Sequence, residues 1–256
     1  MNILCVGDVV GSAGCAHLRR LLPVVKRQYA VDLCIVNGEN AADGNGITPA
    51  AAEHILDSGA DAITAGNHTY RRREFYELLD GSPCIIRPGN YPASAPGKGW
   101  CVVDKGRFQV TVINLMGVVY MEPLACPFET LDRLLEDAGH PKFCVVDFHA
   151  EATAEKTALA YYADGRISAL FGTHTHVQTA DGQILPKGTG FLSDAGMTGP
   201  VESVLGIRPE LAIAKMRDKL PVRFATAPGP CMLNAVLFVL DDATGRTVEV
   251  QTLDLR

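Results

Sequence analysis

Short apolar runs and longer amphipathic segments alternate along the chain. Apolar runs bounded by glycine or other turn residues are typical of buried parallel strands, and they are predicted at Ile3–Val6, Leu33–Val36, Ala62–Ala65, Cys84–Ile86, Phe143–Phe148 and Ile167–Phe171. After a turn over Gly11 to Gly14, helical spacing predicts a first helix, followed by helices from Pro49 to about Ser58 and over 72–80, 128–138, 153–162 and 209–219. Strands that alternate with helices favour a mostly parallel sheet with helices on both faces.

Other segments predict antiparallel strands. Trp100–Val103 and Phe108–Asn114 flank a turn and read as a hairpin, and further strands are predicted at Val222–Thr226, Met232–Leu240 and Thr247–Leu253. We expect these strands to form a second sheet packed on the first. No repeat, low-complexity tract or linker divides the sequence, so residues 1–256 are predicted to form one α/β domain.

Polar residues that suit metal binding follow directly after several predicted strands. In open α/β sheets, ligands bind outside the carboxyl ends of the strands, so these side chains are expected to converge. The two histidines of Gly172-Thr173-His174-Thr175-His176 are expected to project to the same side of an extended backbone. A mixed set of nitrogen and oxygen ligands suits two metal ions such as iron, manganese or zinc. The candidate residues are Asp8, Glu39, Asn40, Asn67, His68, His149, His174 and His176.

Several of these residues also have a purely structural interpretation. Asp8 could cap the turn into the first helix, and Glu39 with Asn40 could be ordinary turn residues. Asn67 could occupy a left-handed turn position. His149, taken alone, is best explained as a hydrogen-bonded residue at a strand end. Their joint occurrence at successive strand ends is poorly explained by these roles and favours a shared site.

Composition narrows the classes of function. The net charge of −6 argues against a generic nucleic-acid or membrane-surface binder, so an anionic ligand would need local positive charge. The eight cysteines contain no C-x-x-C pair, which indicates free thiols in a reducing cytoplasm. The first residues read as a strand rather than a signal peptide, and no apolar run approaches the roughly 20 residues that span a bilayer.

The strand-end motifs resemble those of the calcineurin-like metallophosphoesterases, and more closely those of the YmdB-like proteins among them. The similarity covers essentially the whole chain. It rests on Asp8-Val9-Val10-Gly11, Asn37-Gly38-Glu39-Asn40-Ala41-Ala42, Gly66-Asn67-His68, Phe148-His149-Ala150-Glu151, Gly172–His176 and Asp194-Ala195-Gly196-Met197-Thr198-Gly199-Pro200.

Two positions depart from the broad superfamily. Its usual D-x-H opening is Asp8-Val9-Val10 here, so one imidazole ligand is missing, and Glu39 replaces the bridging aspartate. The YmdB-like pattern shares both changes, with Asn40 in the vacated role.

The resemblance implies a calcineurin-like sandwich of mixed β-sheets flanked by helices, with a pair of metal ions. Iron or manganese is expected, with zinc as a third candidate. The first ion would be held by Asp8, Glu39, Asn40 and His176. The second would be held by Glu39, Asn67, His149 and His174, so that Glu39 bridges the two.

The implied activity is hydrolysis of small phosphodiesters, notably 2′,3′-cyclic nucleotides, to 3′-monophosphates. Metal ions lower the pKa of a bound water and so provide hydroxide for in-line attack. His68, beside a ligand but not itself a ligand, is expected to donate a proton to the leaving oxygen. The alternative is a regulatory protein, weakly catalytic or non-catalytic, that senses a cyclic-nucleotide or other phosphorylated ligand through the metal site.

A few further features of the sequence stay open. Arg71-Arg72-Arg73 could contact substrate, although a charged run at the start of a helix is more often solvent-exposed. Tyr91 could stack on a base, and the loops Asn90-Tyr91-Pro92 and Thr198-Gly199-Pro200 could line the rim of the site. His17, His54 and His140 are predicted at the surface. A small phosphodiester is the expected partner, with no membrane or stable duplex nucleic acid, and a homo-oligomer is left open.

Overall fold

The computed structural model describes residues 1–256, which form two mixed β-sheets flanked by helices. The strands are β1 (Asn2–Val6), β2 (Asp8–Val9), β3 (Leu33–Asn37), β4 (Ala62–Thr64), β5 (Trp100–Asp104), β6 (Gln109–Met116), β7 (Cys144–His149), β8 (Ala169–Thr173), β9 (Gln183–Ile184), β10 (Gly190–Leu192), β11 (Met197–Pro200), β12 (Cys231–Leu240) and β13 (Thr247–Leu255). The helices are α1 (Gly11–Gln28), α2 (Pro49–Asp57), α3 (Tyr76–Gly81), α4 (Pro127–Asp137), α5 (Thr153–Ala163) and α6 (Pro209–Asp218), with a 3₁₀ turn at Arg73–Phe75.

The first sheet has seven strands in the order β2-β11-β12-β1-β3-β4, with β13 also paired to β12. Strands β1, β3 and β4 are parallel, whereas β12 runs antiparallel to β1. The second sheet has six strands in the order β5-β6-β7-β8-β10-β9. Its four central strands are parallel, and β5 and β9 pair antiparallel at the two edges.

Alternation along the strands builds separate cores on the two faces of each sheet. In β1, Ile3 packs into the core between the sheets, and Leu4 packs into the core under α1 and α2. In β7, Val145 faces the core between the sheets and Val146 faces α4 and α5. This alternation follows from the two-residue period of a strand. It produces a sandwich in which helices cover the outer face of both sheets.

The position of the last hairpin differs from the prediction. The hairpin β12–β13 joins the first sheet rather than the second, and the predicted parallel strands β7 and β8 belong to the second sheet. The reason is burial, because β12 has almost no alternation and its residues 233–238 are all buried. A strand that is apolar on both faces belongs in the middle of a sheet.

Two predicted strands are wrong. Cys84–Ile86 and Val222–Thr226 make only isolated bridges, Ile63 to Ile85 and Ile207 to Thr226. The first is cut short by the Arg87-Pro88 sequence, since proline cannot donate to a ladder. The second lies along the wall of a cavity, with no neighbouring strand on which to continue.

Smaller differences also appear in turns and helices. Helix α1 begins at Gly11 itself, which takes the place of the predicted turn over Gly11 to Gly14. The predicted helix over 72–80 is a 3₁₀ turn followed by the short α3. His17 is 7% exposed and therefore buried rather than at the surface. No helix has both the length and the apolar character needed to cross a membrane.

Candidate metal centre

The candidate ligands come together at one edge of both sheets. Asp8 lies in β2, His149 is the last residue of β7, and the other side chains follow directly on β3, β4 and β8. This is the edge that the carboxyl ends of the parallel strands share, as the sequence predicted. The structure brings together Asp8, Glu39, Asn40, Asn67, His68, His149, His174 and His176.

The centre of this cluster is formed by Asp8, Glu39 and His149. Each of these buried residues offers a ligand atom, and these atoms all lie within 4.8 Å of one another. Glu39 is 1% exposed and His149 and Asp8 are completely buried. Two carboxylates and an imidazole in such a small buried volume are a suitable donor set for a divalent metal.

Asn40 and His176 lie on one side of the central cluster, next to Asp8. Nε2 of His176 is 3.3 Å from Nδ2 of Asn40 and 3.6 Å from Oδ1 of Asp8. The amide of Asn40 also contacts Glu39, 2.7 Å from Nδ2 to Oε1.

Asn67 and His174 lie on the other side, around His149. Nε2 of His149 is 2.9 Å from Oδ1 of Asn67, 3.1 Å from Nδ1 of His174 and 3.4 Å from Oε2 of Glu39. Glu39 therefore contacts a residue of each side, which is the position expected of a bridging carboxylate.

The histidines bind protein groups through one ring nitrogen and present the other to the cluster. Nδ1 of His176 lies 3.0 Å from the carbonyl oxygen of Leu205, so it carries the proton and donates it. Nε2 of His174 lies 3.0 Å from Oε2 of Glu151. Such outer contacts fix the tautomer and orientation of metal-ligating imidazoles.

His149 is fixed by a buried relay. Its Nδ1 is 2.9 Å from the hydroxyl oxygen of Thr173, and that hydroxyl donates to Oδ1 of Asp147 over 2.7 Å. Because the hydroxyl proton goes to the carboxylate, its oxygen accepts from Nδ1 of His149. The unprotonated Nε2 of His149 is thereby left for the cluster.

The buried charges influence one another strongly. Burial by itself would raise the pKa of Asp8, but the imidazole of His176 holds it well below its ordinary value. Burial would likewise lower the pKa of His176, and the carboxylate of Asp8 instead raises it to about 9. Burial dominates at His149 and lowers its pKa to about 4. A neutral His149 is the form that can act as a ligand.

One buried oxygen of the cluster lacks a donor. Oδ2 of Asp8 accepts the backbone N–H of His174, 3.1 Å away, whereas Oδ1 is buried with no hydrogen-bond partner, since Nε2 of His176 lies 3.6 Å from it, beyond hydrogen-bond distance. A buried carboxylate oxygen is costly without a donor or a cation. This orphaned oxygen, together with inward-facing imidazole nitrogens, fits a metal ion.

The backbone that carries the two histidines is not extended. Strand β8 ends at Thr173, and both His174 and His176 have positive φ angles, of 103° and 63°. The two rings do reach the same cluster, but the predicted cause, an extended backbone, is wrong. A tight turn, not the strand period, brings both rings to the cluster, and left-handed backbone at non-glycine residues is often retained at functional sites.

Gly66 allows the close approach of two cluster residues. A Cβ atom at this position would lie 2.4 Å from Oε2 of Glu39 and 2.4 Å from Nε2 of His149. Glycine is thus required by space rather than by its φ angle.

His68 lies at the edge of the cluster, with 20% of its side chain exposed. Its Nδ1 is 3.1 Å from Oε1 of Glu39 and 2.9 Å from Oδ1 of Asn40. Both neighbours are acceptors, so Nδ1 carries a proton. Its Nε2 lies 3.3 Å from the amide nitrogen of Asn45.

A family model described as YmdB-like protein matches residues 4–253. The chain belongs to the YmdB-like family. The family assignment predicted from the strand-end motifs is therefore confirmed.

Relatives of this YmdB-like protein cover almost its whole length. A 2′,3′-cyclic-nucleotide 2′-phosphodiesterase from Bacillus subtilis (strain 168) is 45% identical over 254 residues, 99% of this chain and 96% of the relative. The crystal structure of a hypothetical protein from Thermus thermophilus has a TM-score of 0.94 and 40% identity, covering 99% of this chain and 98% of that one. The crystal structure of a novel phosphatase from Mycoplasma pneumoniae has a TM-score of 0.94 and 32% identity, covering 100% of this chain and 93% of that one. The predicted fold class is confirmed.

A cavity of about 740 Å³ opens beside the candidate metal centre of this YmdB-like protein. Glu39, His68, His174 and His176 form part of its wall. The remaining wall includes apolar and cationic side chains that sequence reasoning left out or left open, namely Arg71, Arg72, Leu205, Ile207, Val222, Arg223 and Phe224.

Two other features that the sequence suggested as parts of the site do not line the cavity. Tyr91 packs edge-to-face on Tyr70, with 5.1 Å between ring centroids, and does not line the cavity. Thr198-Gly199-Pro200 is not a rim loop, since it forms most of the buried strand β11. Among the supporting residues, Glu151 and Thr173 lie inside recognised motifs but had no assigned role. Asp147 and Leu205 had no signal in the sequence, because their role depends on contacts across the fold.

Proposed function

We propose that the protein is a metal-dependent phosphodiesterase that hydrolyses 2′,3′-cyclic nucleotides to 3′-monophosphates. The observation that carries this proposal is the buried cluster with an orphaned Asp8 oxygen and inward-facing imidazole nitrogens. The substrate class is supported by the 45% identical relative from Bacillus subtilis, which is named for this activity.

We propose two neighbouring metal positions, which the grouping of the candidate ligands supports. Asp8, Glu39, Asn40 and His176 would hold one ion, and Glu39, Asn67, His149 and His174 the other. The set contains nitrogen and oxygen donors but no thiolate, which suits iron or manganese, with zinc as a third candidate. When bound, such ions supply Lewis-acid polarisation of the phosphate and a water of lowered pKa.

His68 is proposed as the general acid. Opening a 2′,3′-cyclic phosphate to the 3′-monophosphate breaks the bond from phosphorus to the 2′ oxygen, and water supplies the new oxygen on phosphorus. The departing 2′ oxygen needs a proton. His68 lines the cavity without being placed among the ligands, and its contacts with Glu39 and Asn40 hold the ring at the edge of the cluster.

The compartment and the domain organisation are also proposals. All eight cysteines are free, five of them fully or largely buried, which favours a reducing cytoplasm. We take the whole chain as one domain, because the family match extends over residues 4–253.

A substrate screen on protein of known metal content tests this function. Metal analysis should give about two ions per chain, and 2′,3′-cyclic nucleotides should be hydrolysed faster than 3′,5′-cyclic nucleotides or phosphomonoesters. Faster hydrolysis of monoesters would contradict the assignment as a diesterase. Full metal occupancy without hydrolysis of any phosphoester would favour a ligand-sensing protein instead.

A further inference from the structure

We propose that the cavity also binds a second phosphate, carried on the 5′ oxygen of the nucleoside whose 2′,3′-cyclic phosphate is hydrolysed. This inference rests on the proposed function and narrows its substrate class. Such a phosphate is present in two kinds of molecule, a nucleotide with a free 5′-phosphate and an RNA end whose internucleotide phosphate occupies that position.

The first observation is an excess of positive charge in the cavity wall. Arg71, Arg72 and Arg223 line the same cavity as the metal centre, and outside the metal cluster the only carboxylate in that wall is Asp43. The salt bridges of the chain engage none of the three arginines. Although the protein has a net charge of −6, these three arginines make this part of the cavity wall positively charged, which favours binding of an anion.

The second observation is that Arg72 is held in place by neutral groups. Its Nη2 donates to the carbonyl oxygen of Asp43 over 2.6 Å, and its Nε donates to that of Asn45 over 3.1 Å. Carbonyl acceptors orient the guanidinium without neutralising its charge. A preorganised arginine with a free Nη1 edge is well suited to bind a phosphate.

The loop that orients Arg72 also reaches the proposed acid. The side chain of Asn45 contacts Nε2 of His68, and the backbone carbonyl of the same residue accepts from Arg72. Gly46 lets this loop pack closely, because a Cβ there would lie 2.9 Å from Cγ of Arg72 and 3.0 Å from Cβ of Arg71. The cation and the reacting end of the cavity are therefore coupled by one short loop.

The third observation is an apolar surface between these polar regions. Leu205 and Phe224 line the cavity although they are 45% and 41% exposed, and Ile207 and Val222 lie in the same wall. An exposed phenylalanine ring is a suitable platform for a nucleobase. The cavity thus offers a metal centre for the cyclic phosphate, an apolar wall for the base and arginines for another phosphate.

Binding to the metal-loaded protein tests the second phosphate without relying on catalysis. Calorimetry should show that adenosine 3′,5′-bisphosphate binds about tenfold more tightly than adenosine 3′-monophosphate, since hydrogen bonds between charged groups are stronger than neutral ones. Arg223→Ala and Arg71→Ala should each reduce this advantage at least threefold. Arg19→Ala, which removes an exposed arginine outside the cavity, should keep it.

Kinetics then identify the source of the phosphate. The value of kcat/KM is measured for adenosine 2′,3′-cyclic phosphate, its 5′-phosphorylated form and a dinucleotide that ends in a 2′,3′-cyclic phosphate. A gain for the dinucleotide supports an RNA end as substrate, and a gain only for the 5′-phosphorylated form supports a free nucleotide. Equal affinities and equal kcat/KM values across these ligands would overturn the second phosphate site while leaving the diesterase intact. Absence of hydrolysis for all of them would instead refute the proposed function.

Discussion

Lys156 donates a hydrogen bond from Nζ to Oδ2 of Asp194 over 2.8 Å, and both side chains are at most 2% exposed. The same carboxylate accepts a hydrogen bond from the backbone N–H of Thr175 over 3.0 Å. Thr175 lies between His174 and His176 in the sequence. The other oxygen of Asp194 accepts the N–H of Gly196. This buried pair therefore holds the turn that carries two candidate ligands.

Loss of either partner should destabilise the fold, and loss of the carboxylate should weaken metal binding more than loss of the lysine. Lys156→Met and Asp194→Asn each leave a buried charge unpaired, which typically costs about 3–5 kcal/mol of unfolding free energy. Asp194→Asn also places an amide donor near the N–H of Thr175, so its metal affinity should fall further than that of Lys156→Met. Urea unfolding and metal titration measure the two effects.

The exposed pair between Asp132 and Arg166 provides a control. Asp132→Asn should cost less than about 1 kcal/mol, because exposed ion pairs contribute little. If Asp194→Asn bound metal as tightly as the wild type, the carboxylate would not be positioning the histidine turn.

Metal binding should raise thermal stability through Asp8. At a free Mn²⁺ concentration about a hundredfold above Kd, binding contributes about 3 kcal/mol, which corresponds to a rise in Tm of about 5–10 °C for a chain of this size. Asp8→Asn should lose at least half of this rise, because its orphaned oxygen is replaced. Asp104→Asn, at an exposed surface carboxylate, should respond like the wild type. An unchanged response in Asp8→Asn would exclude Asp8 as a ligand.

The acid role of His68 should depend on the leaving group. His68→Gln should keep the metal content and lower kcat for 2′,3′-cyclic nucleotides by about two to four orders of magnitude. A nitrophenolate leaves without needing a proton, so the same variant should hydrolyse bis(p-nitrophenyl) phosphate with a much smaller defect. Equal defects for both substrates would argue for a role in binding or positioning rather than in proton transfer.

Gly66 should be intolerant of even a methyl group. In Gly66→Ala, the new Cβ would meet Glu39 and His149 at 2.4 Å, so one of these side chains must move. We expect metal stoichiometry to fall in a variant that still folds, as measured by elemental analysis and circular dichroism. Gly81→Ala is the matched control, since no atom lies within 4 Å of its Cβ position and its metal content should not change. Wild-type metal content in Gly66→Ala would show that the cluster can shift.

Ionisation of Asp181 should make the free energy of unfolding depend on pH in the acidic range. Burial would raise its pKa, but hydrogen bonds from Ser193 and Thr179 hold the pKa below its ordinary value. The pKa of Asp181 is lower in the folded state than in the unfolded state, where it is near 4. Ionised Asp181 therefore contributes to the free energy of unfolding above the unfolded-state pKa, and this contribution is lost as pH falls through the folded-state pKa. The difference in unfolding free energy between wild type and Asp181→Asn should therefore shrink from pH 6 to pH 3. A difference that stays constant would mean that ionisation of Asp181 is not responsible.

Much of the fold was predictable because its strands are strongly apolar and end abruptly in polar residues. The runs that became β1, β3 and β4 were recognisable one by one, and so was the set of residues that follow them. Helices such as α4 and α5 were found from their spacing. The strand ends converge wherever parallel strands lie side by side, so the location of the site did not require knowledge of the complete topology.

The assignment of strands to sheets was not predictable in the same way. An apolar run such as β12 pairs equally well with several partners, and the choice depends on how both of its faces are covered. The predicted strand over Val222–Thr226 failed for the opposite reason, since no partner strand lies beside it. The hydrophobic pattern of a segment does not specify the strand with which it pairs.

The sequence by itself determined which side chains could meet at the candidate centre, because polar residues that follow buried parallel strands all lie at the carboxyl edge of the sheet. Only the tertiary structure decided how they are held. The turn at His174 and His176 depends on Asp194 and Lys156, and the inward nitrogen of His149 depends on Thr173 and Asp147. Hydrogen bonds between residues far apart in the chain have no periodic signature, so they become visible only once packing brings the residues together.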